Sequence, residues 1–215
     1  SGFWINEIGV QRMAWGVANG VRILDNLNPM DLRDPTRFDQ RLSVPAWYSS
    51  VKGQRAGFEM AFVPLHTPAR LPSDQGLIIP NANQLFKAGE ETEALDIREA
   101  KGEFIGNDQG LNTIQMGLRG SWVGNKSDLG LSWFHGKDSL PQVDGVFRIT
   151  GFQTDTDRVD VGIPLRYPKV DIIGIDFKTH LPFSVLTWAE AGLFLTEQTA
   201  VTASEEQLAA LTTLG

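Results

Sequence analysis

Cysteine is absent from the 215 residues of the chain, which also contain only two Tyr and three His. The absence of cysteine excludes a disulfide scaffold, a thiol nucleophile and haem attachment through C-x-x-C-H. No apolar run approaches the roughly 18–20 residues that a membrane-spanning helix needs, so a helical membrane protein is excluded. The net charge is −7. Nucleic-acid-binding proteins usually carry an excess of Lys and Arg, which this acidic chain does not have. We therefore expect no nucleic-acid partner.

Signatures of catalysis and of cofactor binding are missing as well. The chain has no G-x-S-x-G elbow, no Walker loop and no Rossmann fingerprint, so we predict neither an enzyme nor a cofactor. One acidic run, Asp155, Asp157 and Asp160, is a candidate calcium site. It lacks the Gly and the closing Glu of an EF-hand loop, and a solvated acidic loop is the alternative.

The main positive signal is the alternation of apolar and polar residues. The stretches Asn112–His135 and Ile173–Thr196 each read as two strands joined by a short turn, which predicts β-hairpins. Asp176 and Glu190 stand in mid-strand, where a charge is costly in a dry core but not in a water-filled lumen. Mean hydropathy is −0.16, a value that alternating barrel strands also give. The pattern favours an all-β fold, an antiparallel transmembrane β-barrel, over a sandwich.

Tryptophan is abundant, with six residues in the chain. Transmembrane barrels carry girdles of aromatic residues at both membrane interfaces. We interpret the tryptophans as girdle or wall residues rather than as a platform for sugar stacking. They are Trp4, Trp15, Trp47, Trp122, Trp133 and Trp188.

The domain organisation predicted from the sequence is a single β-barrel domain, 1–215, or a fragment of one. Residues 71–110 and 140–168 show little alternation and are predicted to be long extracellular loops, with a short strand at 146–152 left open in the second. Residues 204–215 are predicted to form a short helical segment, with Ser204 as its N-cap and Gln207 completing a capping box. Ser1–Trp4 lacks the basic start and apolar core of a signal peptide. We therefore expect a mature chain, and truncation at both ends stays open.

A polar segment at residues 22–41 carries closely spaced charges of both signs and is the candidate lumen loop. In one interpretation this network narrows a pore and sets the field that a solute feels. In the other, it pins an inward-folded loop to the barrel wall. The candidate lumen residues are Gln11, Arg22, Asp25, Asp31, Arg33, Arg37, Asp39 and Arg41.

Short motifs between Gly9 and Pro72 follow one another in a characteristic order. They are Gly9, Gln11, Trp15 and Gly16; then Asp25, Asn28, Pro29, Asp31, Leu32 and Arg33; then Arg41, Pro45 and Trp47; then Pro64, Pro68 and Pro72. This order resembles a family of porin-like β-barrels of the Gram-negative outer membrane. The resemblance implies an outer-membrane location, contact with outer-membrane lipid, and passage of a small or hydrophobic solute. Val17 stands where that family commonly has an acidic residue.

Two other functions are open at this stage. One is a soluble, secreted β-sandwich that binds carbohydrate through tryptophans and acidic loops. The other is a membrane anchor whose long loops dock a surface complex. An open set of strands would also need further sequence or a partner chain to cover its edges.

Overall fold

The computed structural model describes residues 2–18, 22–34, 36–37, 39–72, 96–104, 113–146, 148–153, 158–199 and 201–202. These fall into two compact units, which are described separately. The main unit comprises residues 1–72, 108–140 and 167–197, and the second unit comprises residues 73–107, 141–166 and 198–215.

The main unit is built on one antiparallel sheet of seven strands. The strands are β1 (Phe3–Gln11), β2 (Val44–Lys52), β3 (Ala56–Val63), β5 (Gln115–Val123), β6 (Ser127–Lys137), β11 (Lys169–Leu181) and β12 (Val185–Thr196). Their order is β1-β2-β3-β5-β6-β11-β12. Within the described residues the sheet is open, because β1 and β12 each pair with one neighbour only.

The all-β prediction and both predicted hairpins are confirmed. β5 pairs with β6 from Met116↔His135 to Val123↔Asp128, and β11 pairs with β12 from Val170↔Thr196 to Leu181↔Val185. The turn of the second hairpin is a short 3-10 turn, Pro182–Ser184, in which Phe183 has a φ of 68°. The register also confirms the predicted alternation of faces: Ile173, Ile175 and Phe177 lie on one face of the sheet and Asp176 lies on the other.

The two faces of the seven-stranded sheet differ sharply in character. The face that carries Ile173 and Ile175 is here called the outer face, and the face that carries Asp176 is called the inner face. Large apolar side chains on the outer face are exposed, up to 86% for Ile8. They are Trp4, Ile8, Val10, Trp47, Val51, Phe58, Met116, Trp122, Leu129, Leu131, Ile173, Ile175, Phe177, Leu193 and Leu195.

The hydrophobic core of the main unit lies on the inner face. Residues 12–43, between β1 and β2, are here called the covering segment. Met13, Trp15 and Leu27 of this segment form one buried cluster with inward side chains of the sheet, such as Val63 and Phe134. Trp15 is only 2% exposed. Its interpretation as a girdle residue is therefore wrong, because the covering segment carries it onto the inner face.

The second unit contains six strands, and all but the last lie in regions that the sequence predicted to be loops. The strands are β4 (Asp96–Phe104), β7 (Gln142–Val143), β8 (Gly145–Val146), β9 (Arg148–Gln153), β10 (Arg158–Arg166) and β13 (Val201–Thr202). β10 pairs in parallel with β4 and antiparallel with β7 and β9, and β8 pairs in parallel with β13.

The long-loop prediction therefore needs correction at residues 96–104 and over most of 140–168, whereas the short strand expected at 146–152 largely coincides with β9. β10 alternates Val159, Val161, Ile163 and Leu165, and the last three are buried. Pro164 and the neighbouring acidic residues made this stretch look like a loop. The rest of 71–110 and the helix predicted at 204–215 lie largely or wholly outside the described residues. No helix in the described part of the chain is long and apolar enough to span a membrane.

Candidate functional site

Glycines on the inner face form sockets for side chains of the covering segment. A Cβ at Gly117 of β5 would lie 2.5 Å from the Trp15 indole and 3.2 Å from Leu27. A Cβ at Gly174 of β11 would collide with Leu24, and one at Gly192 of β12 would lie 3.1 Å from Ile23. Small residues on three strands therefore allow the covering segment to approach the sheet closely.

The carboxylate of Glu190, on β12, binds the backbone of the covering segment. Glu190 Oε1 accepts hydrogen bonds from the N–H groups of Val17 and Ala18, the latter at 2.6 Å, and Oε2 accepts one from Ile23 at 3.1 Å. A Cβ at Gly16 would occupy the position of this carboxylate, and Gly16 has a φ of 91°. Glycine is therefore required beside the Glu190 side chain.

A second ionic group links three strands of the inner face. Arg119 Nη2 on β5 lies 2.9 Å from Asp176 Oδ1 on β11, and Arg119 Nη1 lies 3.7 Å from Glu59 Oε1 on β3. The other Glu59 oxygen accepts a hydrogen bond of 2.9 Å from the Trp15 indole N–H. The ionic group formed by Glu59, Arg119 and Asp176 is thereby hydrogen-bonded to Trp15 of the covering segment.

Asp25 and Asn28 form the buried polar centre of the covering segment. Asp25 is 0% exposed and Asn28 is 1% exposed. Asn28 Nδ2 donates to Asp25 Oδ1 at 2.8 Å and also to the Met13 carbonyl, while Asn28 Oδ1 accepts from the Met13 N–H at 3.2 Å. Burial raises the pKa of Asp25, and the Asn28 hydrogen bond opposes this shift.

Three arginines surround Asp25 without a close ion pair. The nearest nitrogens of Arg12 and Arg22 both lie 3.9 Å from Asp25 Oδ2. Arg41 donates to the carbonyls of Asn28 at 3.4 Å and Arg22 at 3.3 Å, and burial lowers the pKa of Arg41. This arrangement joins both ends of the covering segment around one carboxylate.

The predicted charge network separates into distinct groups. Asp25, Arg22 and Arg41 come together, but Asp31 forms its own bidentate pair with Arg33, at 2.7 and 2.9 Å. The hydrogen bond from Arg33 lowers the pKa of Asp31 to about 2. Arg37 and Asp39 are exposed beside a turn in which the Arg37 N–H donates to the Asp34 carbonyl at 3.1 Å. They are not part of the buried group.

Gln11 lies at the end of β1, beside a small cavity. Its Nε2 donates to the Ala46 carbonyl at 2.9 Å. The cavity has a volume of about 160 Å³ and lies between β1, β2, β3 and the start of the covering segment. Its lining includes Glu7, Gln11, Arg12, Trp15, Tyr48 and Glu59.

No group of three or more potential metal ligands occurs within the described residues. Of the candidate calcium ligands, Asp155 and Asp157 lie outside those residues. Asp160 belongs to β10. The calcium hypothesis therefore stays a prediction.

Several important residues of the inner face were missed by the sequence analysis. Glu59, Arg119 and Arg12 were not candidates, and no role was assigned to the inward glycines. The available signal for Glu59 and Arg119 was a charged residue at an inward position of an alternating strand, the same signal that singled out Asp176 and Glu190.

Comparison of the chain with protein-family models, with curated proteins and with solved structures found no match.

Proposed function

We propose that the main unit is part of the wall of an outer-membrane β-barrel, and that the protein is a porin-like channel or transporter for a small or hydrophobic solute. The observation that carries this proposal is the inverted polarity of the seven-stranded sheet. Most of its exposed large apolar side chains face outward, whereas the ion-paired Glu59, Arg119 and Asp176 face inward. The exceptions on the inner face include Phe3, Trp188 and Phe194, and Asp171 is a charged residue of the outer face near one end of its strand. A transmembrane barrel needs this distribution because its outer face contacts lipid.

Strand length supports the same function. The seven strands contain 8 to 13 residues, and a tilted transmembrane strand needs about 9–11. On β11 the apolar outer positions Ile173, Ile175 and Phe177 lie between Asp171 and Thr179. That interval is about 27 Å along the strand at roughly 3.4 Å per residue. After a tilt of ~40° it is about 21 Å high, close to the ~25 Å apolar band of such barrels.

The covering segment defines the kind of passage that we propose. Its core side chains and its Asp25–Asn28 centre occupy the inner face, where solute would otherwise pass. Inward-folded segments of this type restrict a pore and set its selectivity. We therefore propose a restricted pathway rather than a wide aqueous channel, with no chemical step.

A membrane anchor that docks a surface complex is the second candidate. The specific observation in its favour is the same coverage of the inner face by the covering segment. A barrel that serves only as an anchor does not need an open lumen. No comparable observation favours the carbohydrate-binding sandwich, in which the exposed outer face would have to lie in water.

The test is an arginine substitution on the outer face. We expect Leu131→Arg and Ile173→Arg to destabilise the protein in lipid bilayers by about 2–4 kcal/mol, since a charge near the bilayer midplane is costly. Gln54→Arg, in the turn between β2 and β3, is the matched control and should have little effect. The measurement is the free energy of unfolding in vesicles. Near-neutral effects at positions 131 and 173, as expected for surface substitutions in water, would overturn the membrane assignment.

Gel migration and conductance complete the test. A barrel should require detergent for extraction and should migrate differently before and after boiling. Single-channel conductance in a planar bilayer then separates the two membrane functions. Discrete current steps support the channel or transporter, and a sealed barrel supports the anchor.

A further inference from the structure

The carboxylate of Glu190 occupies a site made of backbone N–H groups. Val17, Ala18 and Ile23 supply three donors to its two oxygens. Backbone amides that converge on one anion form an anion-binding concavity, and charge-assisted hydrogen bonds of this type are about twice as strong as neutral ones.

The neighbourhood of Glu190 explains why these donors matter. In the pairing of β11 with β12, Glu190 stands directly opposite Asp176. Two carboxylates in that position repel each other. Asp176 is neutralised by Arg119, whereas the ligands of Glu190 are the backbone amides of the covering segment. Withdrawal of the segment would leave Glu190 opposite Asp176 without its hydrogen-bond donors.

We propose that the N–H groups of Val17, Ala18 and Ile23 form a carboxylate-binding site whose resident ligand is Glu190, and that a carboxylate-bearing solute can take its place and release the covering segment from the inner face. The solute class rests on the proposed function, because such a solute must reach the inner face. The site itself does not depend on conduction. In this proposal Glu190 binds the three N–H groups and thereby holds the covering segment on the inner face.

The chemistry of the site selects small carboxylates. One oxygen of a carboxylate can accept from Val17 and Ala18 while its other oxygen accepts from Ile23, as the two oxygens of Glu190 do. The Glu190 carboxylate is tethered and therefore acts at a high effective concentration, on the order of millimolar. Displacement from the unmodified protein therefore requires solute at millimolar concentration or above. A variant that lacks the Glu190 side chain should bind acetate at a lower concentration, because no tethered carboxylate competes for the N–H groups.

The experiment uses the full chain in detergent and limited trypsin digestion at Arg22, next to Ile23. Glu190→Ala should increase the cleavage rate at Arg22 at least tenfold. In the unmodified protein, sodium acetate should accelerate cleavage because it competes with Glu190, while sodium chloride at the same ionic strength should not. In Glu190→Ala, acetate should leave the fast cleavage unchanged, because free acetate does not connect the segment to β12. The matched control is Glu197→Ala, just after β12, which should leave cleavage at Arg22 unchanged.

Gly16→Ala provides an independent variant that leaves β12 intact. Its new Cβ would occupy the position of the carboxylate, so the segment should be released and acetate should not accelerate cleavage further. The proposal is overturned if Glu190→Ala is cleaved at the unmodified rate, or if acetate and chloride act alike on the unmodified protein. The proteolysis result is independent of conductance, so a sealed barrel would refute the channel without refuting this site.

Discussion

Arg119 and Asp176 form an ion pair across an intervening strand. Their closest atoms, Nη2 and Oδ1, are 2.9 Å apart, although β6 lies between their strands. Gly130 of β6 makes this contact possible, because a Cβ there would collide with Asp176 and would lie 2.7 Å from Arg119. The absence of a side chain on one strand thus brings together two charges from its neighbours.

Gly130→Ala should destabilise the main unit by about 1–3 kcal/mol, the usual cost of overpacking a close contact. The added methyl group would push Arg119 away from Asp176. Gly120→Ala is the matched control, since a Cβ at Gly120 meets no atom within 4 Å. The measurement is the free energy of unfolding for both variants. Equal values would contradict the role of Gly130.

Asn28→Ala should cost about 1–3 kcal/mol, because it leaves the buried Asp25 carboxylate and the Met13 backbone without their partners. The same change should raise the pKa of Asp25 further, since the Asn28 hydrogen bond lowers it. Carboxyl NMR would measure this pKa, and chemical denaturation would measure stability.

Asn26→Ala is the control for Asn28. Asn26 makes one partly buried hydrogen bond of 2.8 Å, to the Ile23 carbonyl, and its loss should have a smaller effect. An Asp25 pKa that does not move in Asn28→Ala would show that Asn28 does not hold this carboxylate.

Asp31 should make the protein sensitive to acid. Its pKa is about 2 in the folded protein, against 3.8 as its ordinary value. The folded state therefore binds fewer protons, and the Asp31–Arg33 pair stabilises it above about pH 4. This contribution is lost as the pH falls from about 4 to about 2.

Arg33→Gln tests the origin of that sensitivity. The variant should return the pKa of Asp31 toward 3.8 and weaken the dependence of stability on pH between about 4 and 2. Carboxyl NMR titration gives the pKa directly. Arg37→Gln, in the exposed turn nearby, should leave the pKa of Asp31 in place, and an equal effect from both variants would argue against a specific pair.

The strand pattern of the main unit was readable from sequence because alternation is local. Leu129, Leu131 and Trp133 identify their face without knowledge of any partner. The contacts of the inner face were not readable in this way. Gly117 appears as a small residue whether it lines a water-filled lumen or receives Trp15, and only the tertiary fold distinguishes the two. Trp15 was misassigned for the same reason.

The charged segment was predicted in part. Its inward position follows from its place between two strands and its polar composition. Which charges would meet did not follow, since Asp31 pairs with Arg33 two residues away, whereas Asp25 lies beside Arg12, Arg22 and Arg41. The choice depends on how the backbone of the segment folds, through bridges such as Met30↔Arg41 and Asp31↔Arg70.

The glycine sockets predict an order of folding events. The covering segment follows β1 directly in sequence, but its sockets belong to β5, β11 and β12, much further along the chain. Contacts of such long range form late, because the intervening chain must first be ordered. Trp15 can reach Gly117 only when the distant strands are in register. We therefore expect the covering segment to dock only after β5, β11 and β12 have paired in the native register.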